Sequence, residues 1–297
     1  MIAFARLTRV LAVLSVFVGC GTVRAQEQET RQAQPCPTGD GCLVAAGSYR
    51  ILLPGAATPG RRYDAIVYFH GYQGTAADIM ADPALADMAR RLGVALIAPD
   101  GLGRSWSFPG SPAQNRDEFA FVQQVLDDAT HRFPIDPSRL MASGFSQGGS
   151  MVWYLACRMP TRFAAFAPIA GAFWEPLPDH CSGPRPKLIH VHGTSDGTVP
   201  LAGRQLRQGS RQGDVFKSFA ILAANGCTAA FADMARSIPP GSEPTCRQAT
   251  GCGEARLELC LHDGGHMADA AWIERAWRLT MMDDLVPAAA ARRLTSP

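Results

Sequence analysis

Arg139-Leu-Met-Ala-Ser-Gly-Phe-Ser-Gln-Gly-Gly149 runs directly into Ser150-Met-Val-Trp-Tyr-Leu-Ala-Cys157. The first stretch leans apolar and ends in Gly144-Phe145-Ser146-Gln147-Gly148, and the second has a helix-like composition, so together they read as strand, sharp turn and helix. Such a turn demands glycine two residues to either side of Ser146, because strand and helix backbones approach closely there and a Cβ would crowd them. The serine hydroxyl is thereby pushed outward. The backbone N–H of Gln147, at the start of the helix, then points where an acyl oxyanion would form. Ser146 is the candidate nucleophile and Gln147 the first candidate oxyanion donor.

Working outward, short apolar runs alternate with helical patterns. Tyr63 to Phe69, Val94 to Ala98, Phe163 to Ala170, Lys187 to His192 and Arg256 to His262 read as strands, with Gly47 to Pro54 ahead of them. Helices are expected over Ala84 to Leu92, Asp117 to Phe133, Phe216 to Asn225 and, as an amphipathic closing element, Ala268 to Leu285. Gly203 to Gly213 is polar and could be a further helix, and Gly226 to Glu254, rich in Gly, Pro and Cys, reads as a long loop held by disulfides. Continuous apolar strands separated by helices predict an α/β fold, a mostly parallel sheet with helices on both faces, in a single domain. In such sheets the working loops follow the strand carboxyl ends, so His70 to Gly74, Asp100 to Gly110 and Ser146 should converge on one edge.

Residues 1–25 hold Arg6 and Arg9, the apolar run Val10 to Val18 and small residues ending in Val23-Arg24-Ala25, the pattern of a secretory signal peptide. Cys20 leaves a lipoprotein reading open, although Phe17-Val18-Gly19 is a poor lipobox. Residues 26–35 are polar and read as a disordered lead-in, which leaves 36–290 as the catalytic domain. Removing the signal takes away Arg6, Arg9 and Arg24, so 28 basic and 26 acidic residues become 25 and 26. A near-neutral chain with no basic block interleaved with aromatics gives no reason to expect nucleic acid or anionic membrane as partner. Eight of the nine cysteines survive that cleavage, an even number in an exported chain, which favours disulfides and an extracellular or periplasmic location. Locality suggests Cys36 with Cys42. No C-x-x-C or H-x-x-H spacing marks a metal site, and no cofactor is expected.

The order Ser146, Asp196, His266, each directly after a strand candidate, is the chain order of an α/β-hydrolase triad. Asp214, Asp233 and Asp263 are rivals for the acid, but only Asp196 follows an apolar strand within a Gly-rich turn. Of the two histidines after Asp196, His262 falls inside a strand, which leaves His266 as the base. The second oxyanion donor should be the backbone N–H of Tyr72, with His70 organising that loop. Trp106 and Trp174, with Phe108 and Phe173 near them, fall on loops at the same edge and are candidate walls of an apolar or aromatic acyl site.

His70-Gly-Tyr, Pro99-Asp-Gly, Asp136-Pro-Ser-Arg, Gly144-Phe-Ser-Gln-Gly-Gly149, Phe163-Ala-Ala-Phe-Ala-Pro-Ile-Ala-Gly171, His192-Gly-Thr-Ser-Asp196 and Gly264-Gly-His266 resemble the secreted polyhydroxybutyrate depolymerase and feruloyl esterase family. The likeness runs from about Cys42 to His266. It implies an α/β-hydrolase fold, the triad Ser146, Asp196 and His266, oxyanion amides at Tyr72 and Gln147, and small or oligomeric carboxylic esters as substrates. Short hydroxyalkanoate oligomers come first, with feruloyl or acetyl-xylan esters as alternatives and a serine peptidase or a noncatalytic binding protein further off. The resemblance also suggests Cys157 with Cys181 and Cys227 with Cys252, leaving Cys246 with Cys260. Two departures stand out: Met267-Ala-Asp follows the histidine where family members often carry Thr-Trp-Pro, and Tyr72 stands where many depolymerases carry cysteine.

Overall fold

The computed structural model describes residues 36, 41–55, 60–206, 209–224 and 226–282. The expected signal peptide with Cys20, the lead-in 26–35 and residues 283–290 lie outside the described residues. In chain order the elements are β1 (Cys42–Val44), β2 (Gly47–Leu52), β3 (Tyr63–Phe69), α1 (Ala76–Ala81), α2 (Pro83–Leu92), β4 (Ala95–Pro99) and α3 (Glu118–Arg132). Then come β5 (Ile135–Phe145), α4 (Gln147–Arg158), β6 (Ala165–Ile169), β7 (Trp174–Glu175), β8 (Leu188–Gly193), β9 (Arg204–Gln205), β10 (Arg211–Gln212), α5 (Val215–Ala223), β11 (Thr245–Gln248), β12 (Leu257–His262) and α6 (Ala270–Trp277).

Nine strands form one sheet in the order β1-β2-β4-β3-β5-β6-β8-β12-β11. The six from β4 to β12 run parallel, while β1, β2 and β11 close the edges antiparallel. Every residue of β4, β6, β8 and β12 is buried, which explains their unbroken apolar runs: both faces of these strands are covered. On one face Val67, Ala142, Phe166 and Leu259 pack against Val122 and Val125 of α3, Val152 and Trp153 of α4 and Phe219 of α5. On the other, Ile66, Met141, Ala167 and Val191 meet Leu85 and Met88 of α2 and Ile273 and Trp277 of α6. The residues alternate faces along each strand, so the sequence period of two decides which core each side chain joins. The α/β-hydrolase architecture read from the sequence is the one observed.

Helix starts follow side-chain chemistry. Asp82, Asp117, Asp214 and Asp269 each accept a backbone N–H of the first turn of α2, α3, α5 and α6. Three local expectations change. Gly203 to Gly213 forms no α-helix where it is described; it contributes β9 and β10, which pair with β7 in a second small sheet, because its polar residues offer no apolar stripe for a helix to bury. The long loop from Gly226 contains β11, an edge strand whose half-exposed Thr-Cys-Arg-Gln carries little periodicity of its own. The closing helix ends at Trp277 and continues as a wider turn, Arg278–Met282.

The disulfides join Cys36 to Cys42, Cys157 to Cys181, Cys227 to Cys252 and Cys246 to Cys260. Cys246 and Cys260 are direct cross-strand partners on β11 and β12, so this bridge pins the edge strand to the sheet. Cys157–Cys181 closes a separation of 24 residues at the end of α4. A Cys157→Ser/Cys181→Ser double variant should lose about 3 kcal/mol of stability through the freed loop entropy of the unfolded chain. Urea unfolding monitored by circular dichroism checks this, and an unchanged midpoint would contradict it.

Candidate active site

Because β3, β4, β5, β8 and β12 run parallel, the loops after them open on one edge, and those loops carry Gly71 to Gly74, Gly101 to Gly110, Ser146, Asp196 and His266. Ser146 joins β5 to α4 at φ 59° and ψ −122°. That conformation costs a non-glycine residue on the order of 1–3 kcal/mol and survives only where the surroundings impose it. Here the Ser146 N–H donates to Ile169 O at 3.0 Å, and Ser146 O accepts the Ser150 N–H at 2.9 Å. A Cβ on Gly144 would lie 2.7 Å from Phe69 O, and one on Gly148 would overlap that same carbonyl, so both flanking glycines are required by close approach to β3.

At this turn the Ser146 Oγ lies 2.8 Å from Nε2 of His266, whose Nδ1 is 2.7 Å from Oδ2 of Asp196. A neutral imidazole with its proton on Nδ1 satisfies both contacts: it donates to the carboxylate and accepts from the hydroxyl. The Phe145 ring lies against the His266 ring, with centroids 4.6 Å apart, and fixes its plane. Asp196 is buried, and its Oδ1 accepts the Thr198 and Val199 N–H groups at 2.8 Å each. Burial pushes this carboxyl up, but the bonds from His266 and the Val199 N–H, with the neighbouring histidines, outweigh it, so the net shift is downward and the group stays ionised. The rival carboxylates are engaged elsewhere: Asp214 caps α5, Asp233 pairs with Arg247 and Asp263 accepts the Gly241 N–H.

The loop after β3 lies against the elbow: a Cβ on Gly71 would sit 3.5 Å from the Ser146 Cβ. Among the described residues no loop or cap hydrogen bond is donated by the N–H of Tyr72 or of Gln147. His70 organises this loop as expected. Its Nε2 accepts the Gly101 N–H at 2.9 Å, so the ring proton sits on Nδ1, 2.8 Å from Gly71 O. Burial lowers its pKa and keeps it neutral. Gln73 N–H donates to Arg104 O at 2.9 Å, and the Gln147 side-chain amide donates to Ser105 Oγ at 2.9 Å. The two loops and the first residue of α4 are therefore tied together.

The expectation that Trp106 and Trp174 line a substrate site is corrected. Trp106 is 0% exposed, its Nε1–H donating to His70 O at 2.8 Å and its ring edge-on to Phe69. Trp174 is buried in β7, with Nε1–H on Ser150 Oγ at 3.2 Å and backbone N–H on Tyr154 Oη at 3.0 Å. Phe108 and Phe173 are buried as well. The two tryptophans find partners for their N–H groups inside the protein and the two phenylalanines have no polar atom to satisfy, so all four gain by leaving water and support the loops from beneath. The apolar groups that do face solvent on the site loops are Tyr72 at 65%, Leu102 at 48% and Met267 at 47% exposure. Leu102 escaped sequence reasoning because a single apolar residue in a loop carries no periodicity, and Met267 was marked only as a departure from the resembling family; only their proximity to Asp100 and His266 in the chain could have flagged them as rim residues. A cavity bordered by Pro160, Ala164, Arg185 and Lys187 opens at the amino ends of β6 and β8, away from Ser146.

Residues 47–212 match a family model described as "Putative esterase". "Putative esterase NocK" of Nocardia uniformis is 30% identical over 249 residues, 75% of this chain and 72% of its own length. "Feruloyl esterase C" of Emericella nidulans is 24% identical over 240 residues, covering 78% of this chain and 81% of that protein. Among solved structures, the acetyl xylan esterase from Aspergillus awamori superposes with a TM-score of 0.51 at 16% identity, over 74% of this chain and 89% of that one, a likeness of fold.

Two measurements follow from this geometry. Trp106→Ala should cost about 3–5 kcal/mol of stability, as loss of a fully buried aromatic does, and should not act as a selective loss of large substrates; thermal unfolding beside a substrate panel separates the two. His70, His190, His192 and His262 are all depressed below 6.5 by burial, His192 to about 4. Above pH 6.5 both folded and unfolded states leave them largely neutral, whereas between there and their lowered folded values the unfolded chain binds more protons than the folded one. Stability should therefore fall from about pH 6.5 towards pH 4, by about 1.4 kcal/mol for each unit of depression. Denaturant midpoints that stay flat across that window would contradict it.

Proposed function

The chain belongs to the esterase family of α/β-hydrolases and hydrolyses carboxylic esters, and we propose that Ser146 is its nucleophile, His266 its base and Asp196 the carboxylate that orients that base. The observation that carries this reading is the unbroken line from Ser146 Oγ through His266 to Asp196, at 2.8 and 2.7 Å. Ser146 Oγ attacks the ester carbonyl while its proton passes to His266 Nε2, and Asp196 stabilises the imidazolium. The oxyanion accepts from the N–H groups of Gln147 and Tyr72, two donors held before the reaction begins. Collapse expels the alcohol, which takes the proton from His266. Water activated by the same imidazole then releases the acid.

For substrate we propose compact acyl groups, feruloyl-type esters first, in line with the relatives named feruloyl esterase, and short hydroxyalkanoate oligomers second, on the sequence resemblance. The exposed rim of Tyr72, Leu102 and Met267 supports this choice: it offers apolar contact without a buried charge and leaves the alcohol portion free to extend into water. For compartment we infer the periplasm or the extracellular space, because disulfides persist in oxidising surroundings and residues 1–25 have an export signal's composition. Among the described residues no helix is long and apolar enough to cross a membrane.

Ser146→Ala should lower kcat by at least about 10⁴-fold with the fold intact, and His266→Ala should match it. Activity equal to the parent in either variant would remove the triad. A panel of methyl ferulate, acetylated xylan, hydroxybutyrate oligomers, p-nitrophenyl acetate and long-chain triglyceride tests the substrate class. Tyr72→Ala and Met267→Ala should raise KM for methyl ferulate about tenfold, roughly 1.4 kcal/mol, and change p-nitrophenyl acetate little. Best turnover of the triglyceride, or equal losses on every ester, would overturn the rim assignment.

A further inference from the structure

Behind Asp196 lies a pair of fully buried histidines that the reaction above does not use. His190 and His192, two residues apart on β8, point to the same face of the sheet, where Trp153 of α4 and Phe219 of α5 pack edge-on to the His190 ring. Three contacts run through them in series. His190 Nδ1 is 2.9 Å from Pro168 O, His190 Nε2 is 2.9 Å from His192 Nδ1, and His192 Nε2 is 2.7 Å from Val199 O.

Both ends of this series are carbonyl oxygens, which only accept. Three N–H groups are needed to fill the three contacts, and two neutral imidazoles carry two. The deficit has a definite place. His192 Nε2 faces Val199 O and stands 3.6 Å from Asp196 Oδ2, two acceptors, so it carries its proton there. His192 Nδ1 then accepts from His190 Nε2–H, which leaves His190 Nδ1 without a proton against Pro168 O. One proton added to that atom completes all three bonds, and the nearest carboxylate to balance its charge is Asp196. His192 grips the same turn that presents this carboxylate: Val199 O takes its N–H, and Val199 N–H holds Asp196 Oδ1.

We propose that His190 and His192 are positioning residues for Asp196 which are one proton short of their hydrogen-bonding capacity, and that the pair takes up a single shared proton with Asp196 as counter-charge. The assignment rests on reading Asp196 as the triad carboxylate. The titratable groups around the pair are Asp196 on the loop after β8, His266 on the loop after β12 and His262 on β12 itself. The rings of Trp153 and Phe219, which face the pair from the helices, carry no charge. Burial opposes the uptake, pressing both histidines below their ordinary value, so the neutral pair with one unfilled contact is the form at neutral pH.

The test is a pH titration of the full protein labelled with ¹⁵N-histidine, followed by nitrogen and N–H resonances from pH 8 towards acid unfolding. Two N–H groups shared by the two rings at pH 8, with His192 as the Nε2–H tautomer, and a third appearing in one step while the protein is folded, are the expected result. Two independent uptake steps, the opposite His192 tautomer, or neutral rings down to the unfolding transition would overturn it. Kinetics supply the second arm. His190→Leu removes the Nε2–H that His192 Nδ1 accepts and should lower kcat about tenfold with little change in KM, the cost of a slightly misplaced carboxylate. His190→Gln, whose amide nitrogen offers two N–H groups without an added charge, should recover most of that loss and abolish the proton uptake. No rescue by glutamine, or equal kcat for leucine and histidine at position 190, would contradict the positioning role. Ser146→Ala tests the triad independently, so failure of one reading is told apart from failure of the other.

Discussion

The backbone at Ser146 is the constraint on which the rest depends. Holding a β-substituted residue at φ 59° is unfavourable by itself, and it persists because β3, β6 and α4 meet around it at glycine distances. The Ser146 hydroxyl is thus presented by main-chain packing, before any side chain acts upon it. A parallel sheet with helices on both faces provides the necessary stiffness, since shifting β5 against β3 or β6 would disrupt two ladders and two cores at once.

Strain is confined to the same edge. The non-glycine residues with left-handed backbone among those described are Gln73, Arg104, Ser146 and Ala170, which follow β3, β4, β5 and β6 in turn. The loops that carry them are held by buried polar groups. Asp100 accepts the Ala76 N–H and the Ser48 hydroxyl, and its backbone oxygen takes Arg116. Arg116 lies over the Phe121 ring and pairs with Glu118, which in turn accepts the Ser107 N–H. Burial pushes the Glu118 carboxyl up, and the net shift remains upward despite Arg116. A buried pair of this kind adds little net stability, because desolvation opposes the attraction, but it fixes a single loop geometry. Trp106 and His70 finish the arrangement by joining that loop to the loop after β3.

The histidines illustrate how one residue type is sorted by its surroundings. His266 is partly buried, with a hydroxyl and a carboxylate on its two nitrogens. His70 is fixed in one tautomer by a backbone N–H and a carbonyl. His262 accepts the Gly264 N–H and stacks on Trp272, which shapes the turn leading to His266. His190 and His192 share a face with the aromatic core and reach the carboxylate from behind.

Much of this was legible in the chain. Ser146 was marked by glycines that only a tight crossing explains, and the parallel sheet by apolar runs of strand length separated by helical spacing. Asp196 and His266 were marked by following strands in the right order, where a parallel sheet must bring loops together. Such features are local or periodic, and hydrophobic burial turns them into structure directly. Tertiary packing alone decided the rest. Trp106 and Trp174 lie on loops that a one-dimensional reading puts at the rim, yet each ring finds a partner for its N–H inside the fold and is buried, while Tyr72, Leu102 and Met267 stay in water. The strand Thr245–Gln248 exists because β12 offers it an edge and Cys260 a bond, neither of which is written in its own four residues. The proton deficit of His190 and His192 arises from Pro168 and Val199, carbonyls on a neighbouring strand and a returning turn, so it emerges only when distant parts of the chain meet.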